Sequence, residues 1–261
     1  MMRALSIAGT GMASQQLSVE VIANNLANVS TVGFKKSRGE FQDLMYQTLK
    51  SAGTTTGTGT LPVGIQIGSG VVPVSVHRAF AQGEFQPTQN PLDLAIEGDG
   101  FFQTTLPDGS IAYTRAGSLK VDNEGKVVTV DGYPLLPNIS IPSTAQTVTI
   151  LPTGEVSAVL AGNSAPQQIG TIELARFINP AGLDSLGRNL YRVTAASGEA
   201  VTGLPNQEGF GTLRQGTLEG SNVNIAEEMV NMIVAQRAYE LNSKAIQTSD
   251  EMLSMLNNLK R

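Results

Sequence analysis

Leu5, Met12, Val19 and Leu26 recur every seven residues near the N-terminus, and Ile225, Met232, Tyr239, Ile246 and Leu253 do the same near the C-terminus. A spacing of seven keeps side chains on one stripe of a slightly underwound helix, so each end predicts a coiled-coil helix. A second heptad position, Ala8, Gln15, Ile22 and Val29, continues the N-terminal stripe with one polar interruption. The C-terminal segment carries a further apolar stripe off its heptad face: Val230, Val234, Leu241, Ala245, Met252, Met255 and Leu259. A helix that is apolar on two sides is normally buried on two sides. One partner is expected to be the N-terminal helix, the other the middle of the chain or another molecule.

Local signals sharpen both helices. Asn224 followed by Glu227 reads as an Asn version of the capping box, and Glu227 and Glu228 suit the positive end of the helix dipole. Lys260 and Arg261 suit the negative end, and Glu240 and Lys244 have the spacing of an i,i+4 ion pair. No Gly or Pro interrupts residues 224–261, so the helix can run about 50 Å. From Ala4 to Phe34 the only charge is Glu20, whereas a solvated helix normally carries charges on its outer face. That favours packing against neighbours. Gly9 and Gly11 weaken the first turns in isolation but permit close approach of another backbone. Asn24, Asn25 and Asn28 cluster where the helix should stop, and capping is the plain explanation. Val32-Gly33-Phe34 turns the chain out, and Lys35, Lys36 and Arg38 read as a solvated turn.

The middle has a different period. Short runs with strand character at 70–77, 92–97, 101–106, 111–115, 117–121 and 126–130 are separated by turn sequences such as Pro107-Asp108-Gly109, Asp122-Asn123-Glu124-Gly125 and Asp131-Gly132. Further runs at 146–151, 156–160, 169–178 and 189–194 follow. Many short strands without an intervening helical period predict an antiparallel all-β domain, not a βαβ nucleotide fold. Residues 53–60, GTTTGTGT, have no hydrophobic face and read as an extended connection. The fold class is therefore α+β: N- and C-terminal helices forming an antiparallel coiled coil, with an all-β domain inserted between them. The expected divisions are 1–35, N-terminal helix; 36–70, extended connecting segment; 71–220, β-rich domain; and 221–261, C-terminal helix.

Composition narrows the chemistry. Only 15% of residues are charged, against roughly 25% in ordinary soluble domains, which suggests a surface largely covered by protein. The net charge of −5 argues against nucleic-acid binding. No window is apolar enough for a transmembrane helix, and the first twenty residues are too broken by Ser, Thr and Gln for a signal peptide. Cysteine is absent, so disulfides and thiolate metal sites are excluded. His77, the one histidine, sits in an alternating run and reads as one face of a strand. Asp93 and Glu97 could be imagined as a glycosidase pair, but sugar-binding aromatics are sparse and Trp is absent, so turn and edge roles are preferred. The loop from Asp122 lacks the bidentate Glu of a calcium site. No catalytic, cofactor-binding or metal residue is expected.

Three stretches carry a family resemblance. Ala23-Asn24-Asn25-Leu26-Ala27-Asn28-Val29, then Thr31, then Gly33-Phe34-Lys35, resembles the N-terminal motif of bacterial flagellar rod and hook proteins. SNVNIAEEMVNMIVAQRAYELNSKAIQTSDEML, from Ser221 to Leu253, resembles their C-terminal motif. NPLDLAIEGDGFF and YTRAGSLKVDNEGKVVTVDGYPLLP resemble the β-domain they share. Within the family, the overall length and the stretch after Phe41 look like a subunit of the distal rod, with a proximal rod or hook subunit as the alternative. A peptidoglycan-cleaving enzyme is the less favoured reading.

The resemblance implies a structural, non-enzymatic subunit without cofactors. It would be exported through the flagellar type III apparatus without a cleavable signal and polymerise in the periplasm into a rigid, hollow drive shaft that transmits motor torque and conducts exported subunits. The implied partners are further copies of itself in a helical polymer, proximal rod proteins, the hook protein and the ring bushing proteins, with no nucleic acid and no membrane insertion. The residues expected at the assembly interface are Leu5, Met12, Val19, Ile22, Asn24, Asn25, Leu26, Asn28, Gly33, Phe34, Ile225, Met232, Tyr239, Leu241, Ile246 and Leu253.

Overall fold

A computed structural model describes residues 2–53, 55–56, 59–60, 62–162, 165–207 and 209–259. It has an N-terminal helix, a β-rich middle and a C-terminal helix, an α+β arrangement. The chain divides into two compact units. One comprises residues 1–26, 37–77 and 224–261, the other 27–36 and 78–223.

In the helical unit, α1 spans Met2–Ala27 and α2 spans Ile225–Leu259. The predicted N-cap of α2 is made: Asn224 Oδ1 accepts from the backbone N–H of Ala226 at 3.0 Å and of Glu227 at 3.4 Å. On its exposed face, Glu240 pairs at 2.8 Å with Arg237, one turn before it, instead of Lys244, its expected partner one turn after it. Lys260 and Arg261 lie outside the described residues. Between the helices in sequence, Ser37–Asp43 pairs with Val71–Arg78, and Gln47–Lys50 pairs antiparallel with Ile65–Ile67. These ladders occupy much of the stretch expected as an extended connection. Their pairing has a simple cause: backbone polar groups in an extended segment need partners, and a neighbouring strand supplies them.

The β unit is built on the strand Phe101–Thr105. Antiparallel neighbours flank it: Ile111–Thr114 and Leu190–Arg192 on one side, and Leu174–Arg176 and Val201–Gly203 on the other. Successive residues of a strand point to opposite faces, and here that alternation divides the interior in two. Phe102 joins an aliphatic core with Leu94, Ile96, Leu135, Ile139, Val156, Ile172 and Leu174. Phe101 turns the other way, into an aromatic cluster with Tyr113, Phe177 and Tyr191, against which Phe80 packs. The ring pairs are edge-to-face, Tyr113 to Phe177 at 4.8 Å and Phe80 to Tyr191 at 5.4 Å. A three-stranded ladder of Ala145–Ile150, Glu155–Leu160 and Gln167–Thr171 supplies much of the remaining aliphatic wall.

The imagined carboxylate pair is taken apart by this packing. Asp93 is buried, with its oxygens accepting from Thr88 Oγ1 and Asn90 Nδ2 at 2.8 Å each, while Glu97 is exposed. His77 lies on a strand as expected, 3.6 Å from Glu40.

Candidate assembly site

The expected interface residues fall into three groups. Leu5, Met12, Val19, Ile22, Leu26, Met232, Ile246 and Leu253 are half-buried. Asn25, Gly33 and Phe34 are buried, and Asn28 is half-buried. Asn24, Ile225, Tyr239 and Leu241 are exposed, Leu241 by 68%.

Asn25 does not cap α1. Its Nδ2 donates to the Ser37 carbonyl at 2.9 Å and to Glu228 Oε2 at 3.1 Å, and its Oδ1 accepts from the Ser37 N–H at 2.8 Å. One buried amide therefore ties together α1, the start of the first strand and the first turn of α2. The turn itself is made further on, where Thr31 N–H donates to the Asn28 carbonyl at 3.1 Å. A second point of contact between the helices lies at Gly11, where a Cβ would stand 2.9 Å from Asn242 Nδ2. The glycine accommodates that side chain, as its expected role in close approach requires. Gly9, by contrast, has nothing within 4 Å of a Cβ.

Glu228 lies outside the apolar repeats of the sequence. It begins a heptad, Glu228, Ala235, Asn242 and Ser249, whose members are buried or half-buried and none of which is large and apolar. The helical seam thus has an apolar row, Met232, Tyr239, Ile246 and Leu253, and a row of small or polar residues beside it. A recess of about 460 Å³ opens along it, lined by Gln16, Val19, Gln236, Tyr239 and Glu240. The other face of α2 carries Val230, Ile233, Val234 and Leu241, each more than half exposed.

In the β unit, the turn after the N-terminal motif also departs from expectation. Lys35 is not solvated but fully buried. Its Nζ lies 2.7 Å from Glu219 Oε1, and Arg115 Nε lies 3.0 Å from Glu219 Oε2. A lysine next to a phenylalanine gives no sign of its burial; the partner that makes burial tolerable lies 184 residues away. Burial lowers the Lys35 pKa, assisted by Arg115 and opposed by Glu219. Burial acts to raise the Glu219 pKa, but Arg115 and then Lys35 outweigh it, leaving a net lowering. The Glu219 direction follows from one carboxylate facing two cations, the Lys35 direction from its burial. Gly33, with φ of +69° and Ala116 N 2.7 Å from where its Cβ would be, makes the tight turn into this cluster. Asn189, at the tip of a hairpin, donates to the Val32 carbonyl at 2.9 Å.

Among the described residues no three His, Cys, Asp or Glu side chains are placed to hold a metal, and no helix is long and apolar enough to cross a membrane. What the molecule offers is two long helices with apolar stripes and a β unit, the construction of an axial structural subunit. Family models agree in all three regions. Residues 5–35 match the flagella basal body rod protein, 95–158 the D1 domain of the flagellar hook protein FlgE/F/G, and 214–259 the C-terminal part of the flagellar basal body rod FlgEFG protein.

The relatives narrow the class. A flagellar basal-body rod protein FlgG of Borreliella burgdorferi is 55% identical over 264 residues, covering all of both chains. Proteins of the same name from Caulobacter vibrioides and Bacillus subtilis are 48% and 45% identical, covering 99% and 100% of this chain and all of theirs. The chain belongs to the flagellar basal-body rod protein family. It is a structural protein of the flagellar basal body, not an enzyme.

Proposed function

We propose that the chain is a subunit of the distal rod, polymerising through its helical unit into a rigid hollow shaft. The shaft transmits motor torque towards the hook and conducts exported subunits. The observation that carries this reading is the exposed stripe of α2, with Val230 59%, Val234 62% and Leu241 68% exposed. A contiguous apolar face of this kind on a soluble protein marks an interaction surface. α2 already presents its other seam towards α1, so the exposed stripe is left for further copies of the chain.

On this reading the two helices form an antiparallel coiled coil. What supports it is the offset of the two contacts: going from Gly11 to Asn25 advances fourteen residues along α1, while their partners Asn242 and Glu228 retreat by fourteen along α2. The middle then acts as an antiparallel all-β domain, a reading supported by the antiparallel pairing of its strands. The domains proposed are helix, 1–35; connecting segment, 36–70; β domain, 71–220; and helix, 221–261. The apolar interface residues named from the sequence, Leu5 through Leu253, divide between the intramolecular seam and contacts with neighbouring subunits. Residues 40–70 stiffen the shaft by reaching adjacent subunits, supported by the exposure of Met45, Tyr46, Leu49, Val63 and Ile65. Proximal rod proteins, the hook protein, the ring proteins and the type III export apparatus are the remaining partners.

Val234→Asp combined with Leu241→Asp tests the reading. Each places an unpaired charge on the stripe and leaves the residues of the β unit unchanged. Cells carrying the pair should lack completed rods by electron microscopy, while the purified protein keeps the wild-type melting transition of its β unit. Normal rods from this variant would sink the proposal.

A further inference from the structure

The chain passes between its two units at four places, near residues 26, 36, 77 and 223, and the β-unit side of the last three converges on Glu219. Glu219 Oε1 accepts from Lys35 Nζ at 2.7 Å and from the Gly83 N–H at 3.0 Å, and Oε2 accepts from Arg115 Nε at 3.0 Å. Its backbone carbonyl accepts from the Gly33 N–H at 2.8 Å. Lys35 Nζ also donates to the Ala81 carbonyl at 2.7 Å. Asn222 completes the pattern: its Oδ1 accepts from the Lys36 N–H at 2.7 Å, and its Nδ2 donates to the carbonyls of Ala79 and Ala81 at 2.8 and 3.0 Å. The Ala79 N–H donates to the Lys36 carbonyl at 2.9 Å. Segments 33–36, 79–83 and 219–222 are thus cross-connected pairwise by named bonds. Arg115 anchors the group to the sheet, donating to the Gly98 and Gly100 carbonyls at 2.9 and 2.8 Å.

We infer that Glu219, Lys35 and Asn222 form a clasp that makes the three chain passages one mechanical body. Three features point to a role beyond packing. The first is composition: a buried lysine shared with a buried glutamate is poor at stabilising a fold compared with apolar residues of the same volume. It is a directional device, since hydrogen-bond geometry fixes where each segment lies and an apolar contact does not. The second is charge. Lys35 and Arg115 share one carboxylate, so the cluster carries an excess positive charge; Lys35 is the member whose removal would leave a neutral Arg115–Glu219 pair. The third is placement. Lys35 and Asn222 both bond to the passage segments themselves, whereas Arg115 bonds to the loop before the central strand. Any force entering the β unit along one passage is therefore shared with the other two before it reaches the sheet. The inference concerns the β unit alone and stands whether or not the chain polymerises as a rod.

The test uses the full-length monomer and two measurements, hydrogen exchange resolved by segment and thermal melting followed by near-UV circular dichroism of the clustered tyrosines. Lys35→Met and Asn222→Ala should each speed exchange in 33–37 and 79–83 by about tenfold or more, the scale of one lost hydrogen bond to a charged or buried partner. Both should leave the melting transition close to wild type. Glu219→Gln, which strands two cations, should lower the melting transition as well. Wild-type exchange at the passages in both single variants would overturn the clasp. So would a loss of melting temperature in both as large as that of Glu219→Gln, because the residues would then be ordinary core.

Discussion

The two units of this chain treat their apolar residues in opposite ways. In the β unit, Leu94, Ile96, Phe102 and Leu174 are fully buried, and even charged groups are drawn inside and paired. In the helical unit, Val230, Val234 and Leu241 stand exposed, and the buried positions of α1 are Ala8, Ser14 and Asn25. The β unit also has exposed apolar side chains, Val130 and Ile178 among them, but its two large apolar clusters are buried. A unit that displays an apolar face on a long helix gains its remaining stability from association, because helix formation depends on packing an apolar face more than on intrinsic propensity. On the proposed reading, a single chain carries a prefolded module and a module that waits for company.

The largest effect expected from this contrast is in hydrogen exchange of the dilute monomer. Each ordered residue costs about 1–2 kcal/mol of backbone entropy, and the exposed stripe of α2 contributes little against that cost until another copy covers it. Amides of 5–26 and 225–253 should therefore exchange orders of magnitude faster than those of 101–105. Slow exchange across both helices in protein shown to be monomeric would erase the distinction.

Next comes the buried cluster. Glu219→Gln should destabilise the β unit by about 3–5 kcal/mol in denaturant titration, the usual effect of stranding a buried charge. Acid should act in the same direction. The Glu219 pKa is lower in the folded state, so its contribution is present above the ordinary glutamate range and is lost as pH falls through the folded value. The acid transition of Glu219→Gln should be correspondingly shallower than that of wild type, and an unchanged acid profile would remove Glu219 from the account.

A subtler effect is expected from deleting residues 54–60, part of which lies outside the described residues. The rod should still form but bend more easily, judged by curvature in electron micrographs; rods as straight as wild type would show that the segment does not stiffen them. The smallest effect is at the start of α2. Asn224→Ala removes the cap of a helix and should cost about 1 kcal/mol, visible as a raised critical concentration for assembly with no change in the melting of the β unit.

Much of this was legible in the chain itself. The heptads at both ends marked α1 and α2, and Asn224 marked where α2 starts, since period and cap are local properties. Alternation and turn residues located the strands at 94–97, 101–105, 111–114 and 155–160 for the same reason. Strands such as Thr217–Glu219 and Thr212–Gln215 were missed because each is short and takes its ladder partner from 85–87 or 94–97, more than a hundred residues away. Asn25 looked like a helix cap, and Lys35 looked like a solvated charge, because those are the roles such residues fill when only neighbours are considered.

The sequence by itself determined both helices and several of the strands, the division between helical ends and β-rich middle, and the family, all of which rest on periodicity and on motifs many residues long. Only the tertiary structure decided which polar groups are buried and with whom. Glu228 meets Asn25, and Glu219 meets Lys35 and Arg115, across separations of 203, 184 and 104 residues. The physical reason is that a charge is tolerated inside a protein only when a partner of the right geometry is already there. That condition belongs to three-dimensional placement and leaves no periodic trace along the chain.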